Sequence, residues 1–196
     1  MVRFVHTADW QIGMKFAKIG DAGKRVREER FSAARRVVDA ASAHGAEFIL
    51  VAGDLFEDNA VDRTQARMVA DILGKAPCPV FIIPGNHDPL VPGAVWEDRS
   101  WAAARNVVGF SENAPYELPG ATLYPCPLRG KQSDADPTSW IRAEGGDRIH
   151  IGLAHGSVEG APIGEWDHPI PRDAASRSGL DYLALGHWHS FGLFGT

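Results

Sequence analysis

Cysteine is scarce in this sequence, and long apolar runs are absent. The 196 residues include only two cysteines, Cys78 and Cys126, which excludes a disulfide framework and a four-cysteine zinc site. No stretch reaches the roughly 18–20 consecutive apolar residues that a membrane span needs. The first ten residues lack the basic-then-apolar order of a signal peptide. We therefore expect no association with a membrane and a cytoplasmic location.

Strong charge of one sign is also missing from the chain as a whole. The formal net charge is −5, and 44% of the residues are hydrophobic, a balance that excludes a disordered chain. The length predicts one α/β domain over residues 1–196. The stretch from Lys15 to Arg36 differs from the rest because it holds eight basic and three acidic residues. It either faces a polyanion or forms the solvated face of a helix.

Apolar runs rich in β-branched residues alternate with helical patterns along most of the chain. Strands are predicted over residues 2–6, 48–52, 80–83, 149–154 and 182–185. Helices are predicted over 26–44, where Gly45 follows as a stop signal, and over 62–75. This alternation indicates a layered α/β domain.

The patterns are weaker between residues 94 and 146. There we predict helices over 96–105 and 138–144 and short strands over 107–110 and 121–126. No repeat, linker or change of composition marks a second domain. The sequence ends in the apolar stretch 191–196, and because an exposed apolar end would pair with other chains, we expect a domain truncated at its carboxyl end.

Side chains that can bind a metal ion follow each of the five main predicted strands. The carboxyl ends of strands in an open α/β sheet meet at one edge, so these side chains should share one crevice. They offer nitrogen and oxygen but no thiolate, which favours Mn, Fe or Zn over a structural zinc site. In chain order they are Asp9 and Gln11, Asp54, Asn86 and His87, His155, and His187 and His189.

Each of these features has a simpler interpretation when it is taken alone. His187 and His189 share one face of an extended segment, but such a pair is often only hydrogen-bonded. Asp54 could cap a helix, and residues 86–89 have the composition of an ordinary turn. The simpler interpretations would have to hold at all five strand ends at once, so a shared metal centre is favoured.

The ordered motifs resemble those of the calcineurin-like metallophosphoesterases. That family's pattern runs D-x-H, G-D, G-N-H-D/E, G/A-H and G-H-x-H, and this chain has HTADWQIG, AGDLF, PGNHD, LAHG and LGHWH in the same order. The first, second and last motifs are most similar to the SbcD-type DNA repair exonucleases. The resemblance covers nearly the whole chain and implies a four-layer α/β/β/α fold with two mostly mixed sheets flanked by helices.

The resemblance also implies a role for each matching residue. Asp54 would bridge two divalent ions, Mn in the first place and Fe, Zn or Mg as alternatives, which activate a hydroxide for phosphodiester hydrolysis. His87 would contact the scissile phosphate or protonate the leaving oxygen, and Asp88 would orient the ring of His87. The ligands of the first ion would be Asp9, Gln11, Asp54 and His189, and those of the second Asp54, Asn86, His155 and His187.

Gln11 departs from the family pattern, which has histidine at this position. A carboxamide coordinates only through its oxygen and is a weaker ligand for Zn or Fe than imidazole. We expect either a looser first site that is filled when Mn is abundant, or a water ligand to which Gln11 only hydrogen-bonds. A stronger form of the same argument predicts that the chain has lost catalysis and serves as a binding or assembly module.

Two classes of substrate are compatible with phosphodiester hydrolysis by this chain. A nuclease acting on DNA ends is the leading interpretation, with Lys15, Lys24, Arg25 and Arg27 as candidate phosphate contacts. A general phosphodiesterase or phosphatase for small nucleotides is the alternative. By resemblance, an SbcC-type ATPase and a second copy of the chain are expected partners, and we expect residues 1–196 to hold the catalytic domain without a capping domain. Trp10 and Trp188 lie between ligand positions and are expected to pack in the core.

Overall fold

Two four-stranded β-sheets form the centre of the molecule in a computed structural model that describes residues 1–15, 21–160, 167–189 and 192–193. The first sheet has the order β1-β2-β3-β4, and the second has the order β5-β6-β7-β8. The strands of the first sheet are β1 (Phe4–Thr7), β2 (Phe48–Ala52), β3 (Val80–Ile83) and β4 (Val107–Gly109). Those of the second are β5 (Tyr116–Leu118), β6 (Ala121–Pro125), β7 (Ile149–His155) and β8 (Tyr182–Gly186).

Strand direction differs between the two sheets. Every strand pair of the first sheet is parallel. In the second sheet β5 runs antiparallel to β6, and the remaining pairs are parallel. The predicted mixed sheet is therefore the second one, whereas the first is wholly parallel across the described strands.

The helices connect the strands and cover the first sheet. Helix α1 (Asp21–Ala43) lies between β1 and β2, and α2 (Arg63–Leu73) lies between β2 and β3. The left-handed conformation of Gly45, with φ of +59°, ends the turn after α1 as the sequence predicts. The third helix, α3 (Ala174–Arg177), is a single turn before β8. None of the helices that the structure describes is long and apolar enough to cross a membrane.

Alternation along β2 explains how one sheet is buried on both faces. Phe48, Leu50 and Ala52 pack in a cluster with Leu123 and Leu153 of the second sheet. The intervening residues of β2, Ile49 and Val51, belong to the cluster that includes the apolar faces of α1 and α2. Successive side chains of a strand point to opposite faces, so a strand between a helical layer and a second sheet must be apolar throughout.

The outer face of the second sheet has a thinner cover. Tyr124 and Ala154 of this sheet pack with Ile141, Ala174 and Leu180 from loops and from α3. The order of layers is therefore helices, sheet, sheet and a short helix with loops. This confirms the predicted α/β fold with two sheets flanked by helices.

Two helices predicted in the weaker stretch are wrong. In place of a helix over 96–105 there are two 3₁₀ helices, Val95–Glu97 and Arg99–Ala103. The Asp98 carboxylate accepts a hydrogen bond from the Ser100 amide at 2.9 Å and starts the second of them afresh. Residues 138–144 hold only a turn, because Asp136 accepts from the amide of Thr138 in the same way. Strand β5 and helix α3 carry no clear sequence signal.

Candidate metal centre

The candidate ligands follow the carboxyl ends of β1, β2, β3, β7 and β8, and the two sheets bring these ends together. The parallel pairing of β1, β2 and β3 aligns the first three ends, and the parallel pairing of β7 with β8 aligns the other two. His155, at the end of β7, joins the sheets because its Nδ1 donates to the Ala52 carbonyl oxygen of β2 at 2.8 Å. The ends of separate sheets therefore form one site.

Unusual backbone conformations concentrate at this site. Among the residues that the structure describes, five non-glycine residues have positive φ, and four of them are predicted ligands: Asp9, Gln11, Asp54 and His187. Such a conformation is costly for a residue with a side chain and persists only where surrounding contacts impose it. Two of those contacts are backbone hydrogen bonds from the Asp9 amide to Gly53 and from the Gln11 amide to Asp54.

Three glycines make room for the ligands. A Cβ atom on Gly53 or Gly186 would press against the ring of His155, and one on Gly85 would press against the Asp54 carboxylate. The motif glycines at 53, 85 and 186 are therefore explained by close approach to the two most buried candidate ligands.

His155 lies at the centre of the site and is completely buried. Its Nε2 is 2.9 Å from the Asn86 side-chain oxygen and 3.3 Å from Asp54 Oδ2. Because Nδ1 donates to a carbonyl, a neutral His155 directs the lone pair of Nε2 at two oxygen atoms. A nitrogen and two oxygens that converge in this way require a cation between them, either a proton or a metal ion.

His155 and Asp54 favour each other's charged forms. Burial by itself would lower the pKa of His155, but the hydrogen bond and charge of Asp54 outweigh burial and raise that pKa to about 9. Burial also acts to raise the pKa of Asp54, yet His155 and the His87 amide outweigh it and lower that pKa. Burial raises the pKa of Asp9 above its usual value. A divalent cation would satisfy the same carboxylates.

His187 adds a second imidazole next to His155. Its Nδ1 lies 3.3 Å from the Asn86 side-chain oxygen. Its backbone amide donates to Asp9 Oδ2 at 2.9 Å, which ties the end of β8 to the end of β1. Asn86, His155, His187 and Asp54 therefore form one group of neighbouring donors, the set that the resemblance assigns to the second ion.

His189 lies next to both Asp9 and Gln11. His189 Nε2 is 3.8 Å from Asp9 Oδ1 and 3.1 Å from Gln11 Nε2. The Gln11 side chain is buried, and its amide nitrogen rather than its oxygen faces His189. A carboxamide coordinates through oxygen, so Gln11 would have to turn its amide to become a ligand.

All seven predicted ligands are thus brought into one connected cluster. Potential ligand atoms of Asp9, Asp54 and His155 lie within 4.8 Å of one another, close enough to hold one metal ion. The nitrogen and oxygen donors, the buried carboxylates and the direction of His155 Nε2 fit divalent cations. The assignment of each side chain to one of two ions stays a prediction.

The structure does not support the predicted role of Asp88. Asp88 is fully buried, and its carboxylate accepts hydrogen bonds from the amides of Phe56 at 2.9 Å and Gly85 at 2.7 Å. The ring of His87 is held instead by the carbonyl of Glu57, 2.9 Å from Nδ1. Asp88 therefore connects two loops of the site and does not orient His87. Burial, followed by the charge of Asp54, raises the pKa of Asp88 to about 7.

A polar pocket of about 420 Å³ lies beside the cluster. It is lined by Asn86, His87, Lys131, Gln132 and Asp167. Lys131, Gln132 and Asp167 were not predicted. The sequence signal for them is weak: a lysine between glycine and glutamine in a loop. His168, a buried residue with φ of +50°, anchors this loop, because its amide donates to the Ser133 carbonyl at 2.8 Å.

The four predicted substrate contacts do not line that pocket. Lys15, Lys24 and Arg25 are exposed, and Arg27 is partly buried. Lys24 forms an exposed i,i+4 ion pair with Glu28 at 3.9 Å. Lys18, which belongs to the same basic stretch, lies outside the described residues. The contribution of this stretch to substrate binding stays a prediction.

The two tryptophans between the ligands differ in environment. Trp10 is buried in the core on the helical side of the first sheet, and its Nε1 donates to Thr7 Oγ1 at 2.8 Å. Trp188 is 36% exposed and does not pack in the core, contrary to the prediction. Trp10 packs in the cluster that includes Phe31 and Ala34 of α1, whereas Trp188 belongs to none of the buried clusters of the described residues.

This chain is similar in sequence to known phosphoesterases. The family model for calcineurin-like phosphoesterases matches residues 2–191. An uncharacterized metallophosphoesterase of Bacillus subtilis, YhaO, is 30% identical over 201 residues, which covers 95% of this chain and 48% of that protein. The chain therefore spans about half the length of this curated relative.

A solved structure shows the same fold. The crystal structure of TT1561 of Thermus thermophilus is 15% identical and has a TM-score of 0.60, covering all of this chain and 86% of that one. At this identity the likeness concerns the fold alone. Because the family model matches nearly the whole length of this chain, the chain belongs to the calcineurin-like phosphoesterase family.

Proposed function

We propose that the protein hydrolyses phosphodiesters with two divalent metal ions held by the seven-residue cluster. The observation that carries this proposal is the direction of His155 Nε2 toward Asp54 and Asn86, next to Asp9. The family match supports it, because phosphoester hydrolysis is what the family is named for. Two divalent ions at such a site supply an activated nucleophile and neutralise the phosphate oxygens.

The ligands divide into two groups around Asp54. His189 lies near Asp9 and Gln11, and Asn86 lies near His155 and His187. Asp54 bridges the two groups. We favour Mn because one group includes a carboxamide and two carboxylates, which suit a harder ion better than Zn.

His87 is the candidate proton donor to the leaving oxygen. Its Nδ1 lies 2.9 Å from the Glu57 carbonyl oxygen and donates to it, which leaves Nε2 for the substrate. The residue lines the polar pocket. In this position His87 would contact the scissile phosphate and, as the imidazolium, give its Nε2 proton to the leaving oxygen, which departs as the alcohol.

Lys131 supplies a positive charge to this pocket. It lines the same pocket as His87, and Gln132 beside it offers further hydrogen-bond donors. A phosphodiester bound in this pocket would bring its anionic oxygens near Lys131 and near Asn86, one of the candidate ligands. We assign to Lys131 the binding of a substrate phosphate.

DNA is the substrate that we favour. The wording of the HTADWQIG, AGDLF and LGHWH motifs is similar to that of SbcD-type nucleases, and the exposed basic residues of α1 suit a long polyanion. A small phosphodiester is the second candidate, because the pocket of about 420 Å³ is of the size of a small ligand and the basic residues of α1 lie outside it.

The test is hydrolysis of two substrates with Mn²⁺, labelled DNA with defined ends and bis-nitrophenyl phosphate. We expect the wild type to cleave both and His87→Ala to lose roughly 10²–10⁴-fold in turnover on DNA. The exposed His44→Ala variant is the matched control and should retain full activity.

Three results would change the assignment. Cleavage of the small ester without cleavage of DNA would favour the small-nucleotide function. Metal binding without activity on either substrate would favour a binding module. Equal activity of His87→Ala and the wild type would remove His87 from the reaction.

A further inference from the structure

We propose that Asp167 is a positioning residue that fixes which nitrogen of His187 binds metal. This inference rests on the proposed function, because it concerns one of the ligands assigned there. Asp167 Oδ2 lies 3.0 Å from His187 Nε2. On the other side of the ring, Nδ1 lies 3.3 Å from the Asn86 side-chain oxygen and faces the cluster.

The two contacts define the tautomer of His187. A carboxylate accepts hydrogen bonds and does not donate them, so Nε2 carries the proton that Asp167 accepts. The Nδ1 of the neutral ring then has a free lone pair, and this atom faces Asn86, the ligand that His187 shares with His155. A carboxylate behind a metal-binding imidazole both orients the ring and makes it a better electron donor.

Asp167 is itself held in place. Its Oδ2 accepts a hydrogen bond from Ser157 Oγ at 2.9 Å, and its backbone forms a β-bridge with Ser133. The side chain is only 25% exposed, so its charge is partly shielded from water. These restraints keep the carboxylate at a constant distance from the ring, as a positioning role requires.

The alternative arrangement has a physical cost. If His187 bound metal through Nε2, this nitrogen would have to turn away from Asp167 and give up its proton, and the hydrogen bond that Asp167 now accepts would be lost. The backbone of His187 has φ of 105°, and its amide donates to Asp9, so the residue has little freedom to accommodate this change. Asp167 therefore selects against the other orientation.

Asp167 also borders the substrate pocket. It lines the pocket with Lys131, and its segment pairs with the loop that carries Lys131 through the Ser133 bridge. One short segment thus supports a metal ligand and a wall of the pocket. A change at Asp167 should therefore alter metal affinity as well as turnover.

The test measures Mn²⁺ binding by calorimetry in the wild type, Asp167→Asn and Asp167→Ala. We expect Asp167→Ala to weaken the binding of one of two ions by roughly 10–100-fold in dissociation constant. Asp167→Asn keeps an oxygen acceptor but loses the charge, so its loss should be smaller. The affinity of the other ion should stay within about threefold, which a general loss of folding would not produce.

Asp173→Asn is the matched control. It removes an exposed carboxylate six residues further along, whose side chain makes no hydrogen bond at the start of α3. We expect its metal affinities to equal those of the wild type. Urea unfolding of each metal-free variant shows whether it is folded. If Asp167→Ala does not fold, the metal affinities of Asp167→Asn decide whether Asp167 positions His187.

The outcomes separate this inference from the proposed function. A wild type that binds no Mn²⁺ would overturn the proposed function and this inference with it. A wild type that binds two ions, together with unchanged affinities in both Asp167 variants, would overturn the positioning role alone.

Discussion

At the scale of single residues, two of the predicted roles need to be redefined. Asp88 has the sequence position of a partner for His87, but its carboxylate binds two backbone amides from neighbouring loops. Gln11 has the position of a ligand, but its amide nitrogen faces His189. Both residues occupy the expected places in their motifs, but their side chains contact other atoms than the motifs suggest.

Asp88→Ala should destabilise the protein without removing the His87 ring from its carbonyl partner. Each buried amide that is left unpaired costs about 1–3 kcal/mol, so the loss of two predicts roughly 2–6 kcal/mol in the free energy of unfolding. Urea denaturation of metal-free protein measures this. Asp88→Asn retains one acceptor and should lose less. Equal stability of Asp88→Ala and the wild type would contradict the connecting role.

Gln11→His should tighten metal binding at one site. Imidazole coordinates through a nitrogen lone pair and suits Fe and Zn better than a carboxamide that first has to turn. We expect at least about a tenfold gain in affinity for one of the two ions, on the scale known for changes close to a metal. Calorimetric titration measures it, and equal affinity in both proteins would remove Gln11 as the cause of a looser site.

At the scale of elements, the edge strands β1 and β8 are joined across the two sheets by His6. Its Nδ1 lies 3.1 Å from the Tyr182 hydroxyl, and its Nε2 lies 3.1 Å from the Leu185 carbonyl oxygen. The carbonyl can only accept, so Nε2 donates, and the neutral ring satisfies both contacts. Burial lowers the pKa of His6 and outweighs the opposing effect of the Leu185 carbonyl.

This pKa predicts a loss of stability in acid. The folded state binds the His6 proton more weakly than the unfolded chain does, so stability is full above about pH 6.5 and falls as the pH drops below that value. His6→Gln removes the titrating group, and its unfolding free energy should fall less between about pH 7.5 and 5.5 than that of the wild type. Urea denaturation of metal-free protein tests this. His44→Gln, at an exposed site, is the control; an unchanged slope in His6→Gln would contradict the prediction.

Helix α1 is the element whose role depends on the substrate. Reversing the charge of Lys24, Arg25 and Arg27 to Glu should weaken DNA cleavage more than cleavage of a small ester, because only DNA is long enough to reach them. The salt dependence of DNA binding should also become shallower, by about 0.9 in log–log slope for each phosphate that the variant no longer neutralises.

The matched control for this helix is Arg67→Glu on α2. Arg67 is exposed and forms the same kind of i,i+4 ion pair, with Asp71 at 4.0 Å. Arg67→Glu should change the cleavage rate of neither DNA nor the small ester. Equal losses on DNA and the small ester in the α1 variant would show that these residues are only solvated.

At the scale of the whole molecule, the metal ligands come from five strand ends and two sheets. A metal ion bound by such a set binds the folded chain and not the unfolded one, so it stabilises the whole fold. At 100 times its dissociation constant, Mn²⁺ should add about 2.7 kcal/mol, which corresponds to several degrees in Tm.

Differential scanning calorimetry with and without Mn²⁺ tests this expectation. Excess chelator should reverse the gain. Asp54→Asn should lose most of it, because Asp54 lies between the two groups of ligands. A gain in Tm that is as large in Asp54→Asn as in the wild type would mean that Mn²⁺ binds elsewhere.

The strands, the two long helices and the strand-end positions of the candidate ligands could all be predicted from the order of the amino acids. This was possible because β2 and β3 are continuous apolar runs and α1 and α2 repeat their apolar residues at helical spacing, which are properties of neighbouring residues. The folded chain was needed to show that Asp88 binds Phe56 and Gly85, that Lys131 and Asp167 share a pocket with His87, and that Asp167 faces His187. These contacts join residues that are distant in sequence, and a local pattern holds no information about which distant atoms folding brings within hydrogen-bonding distance.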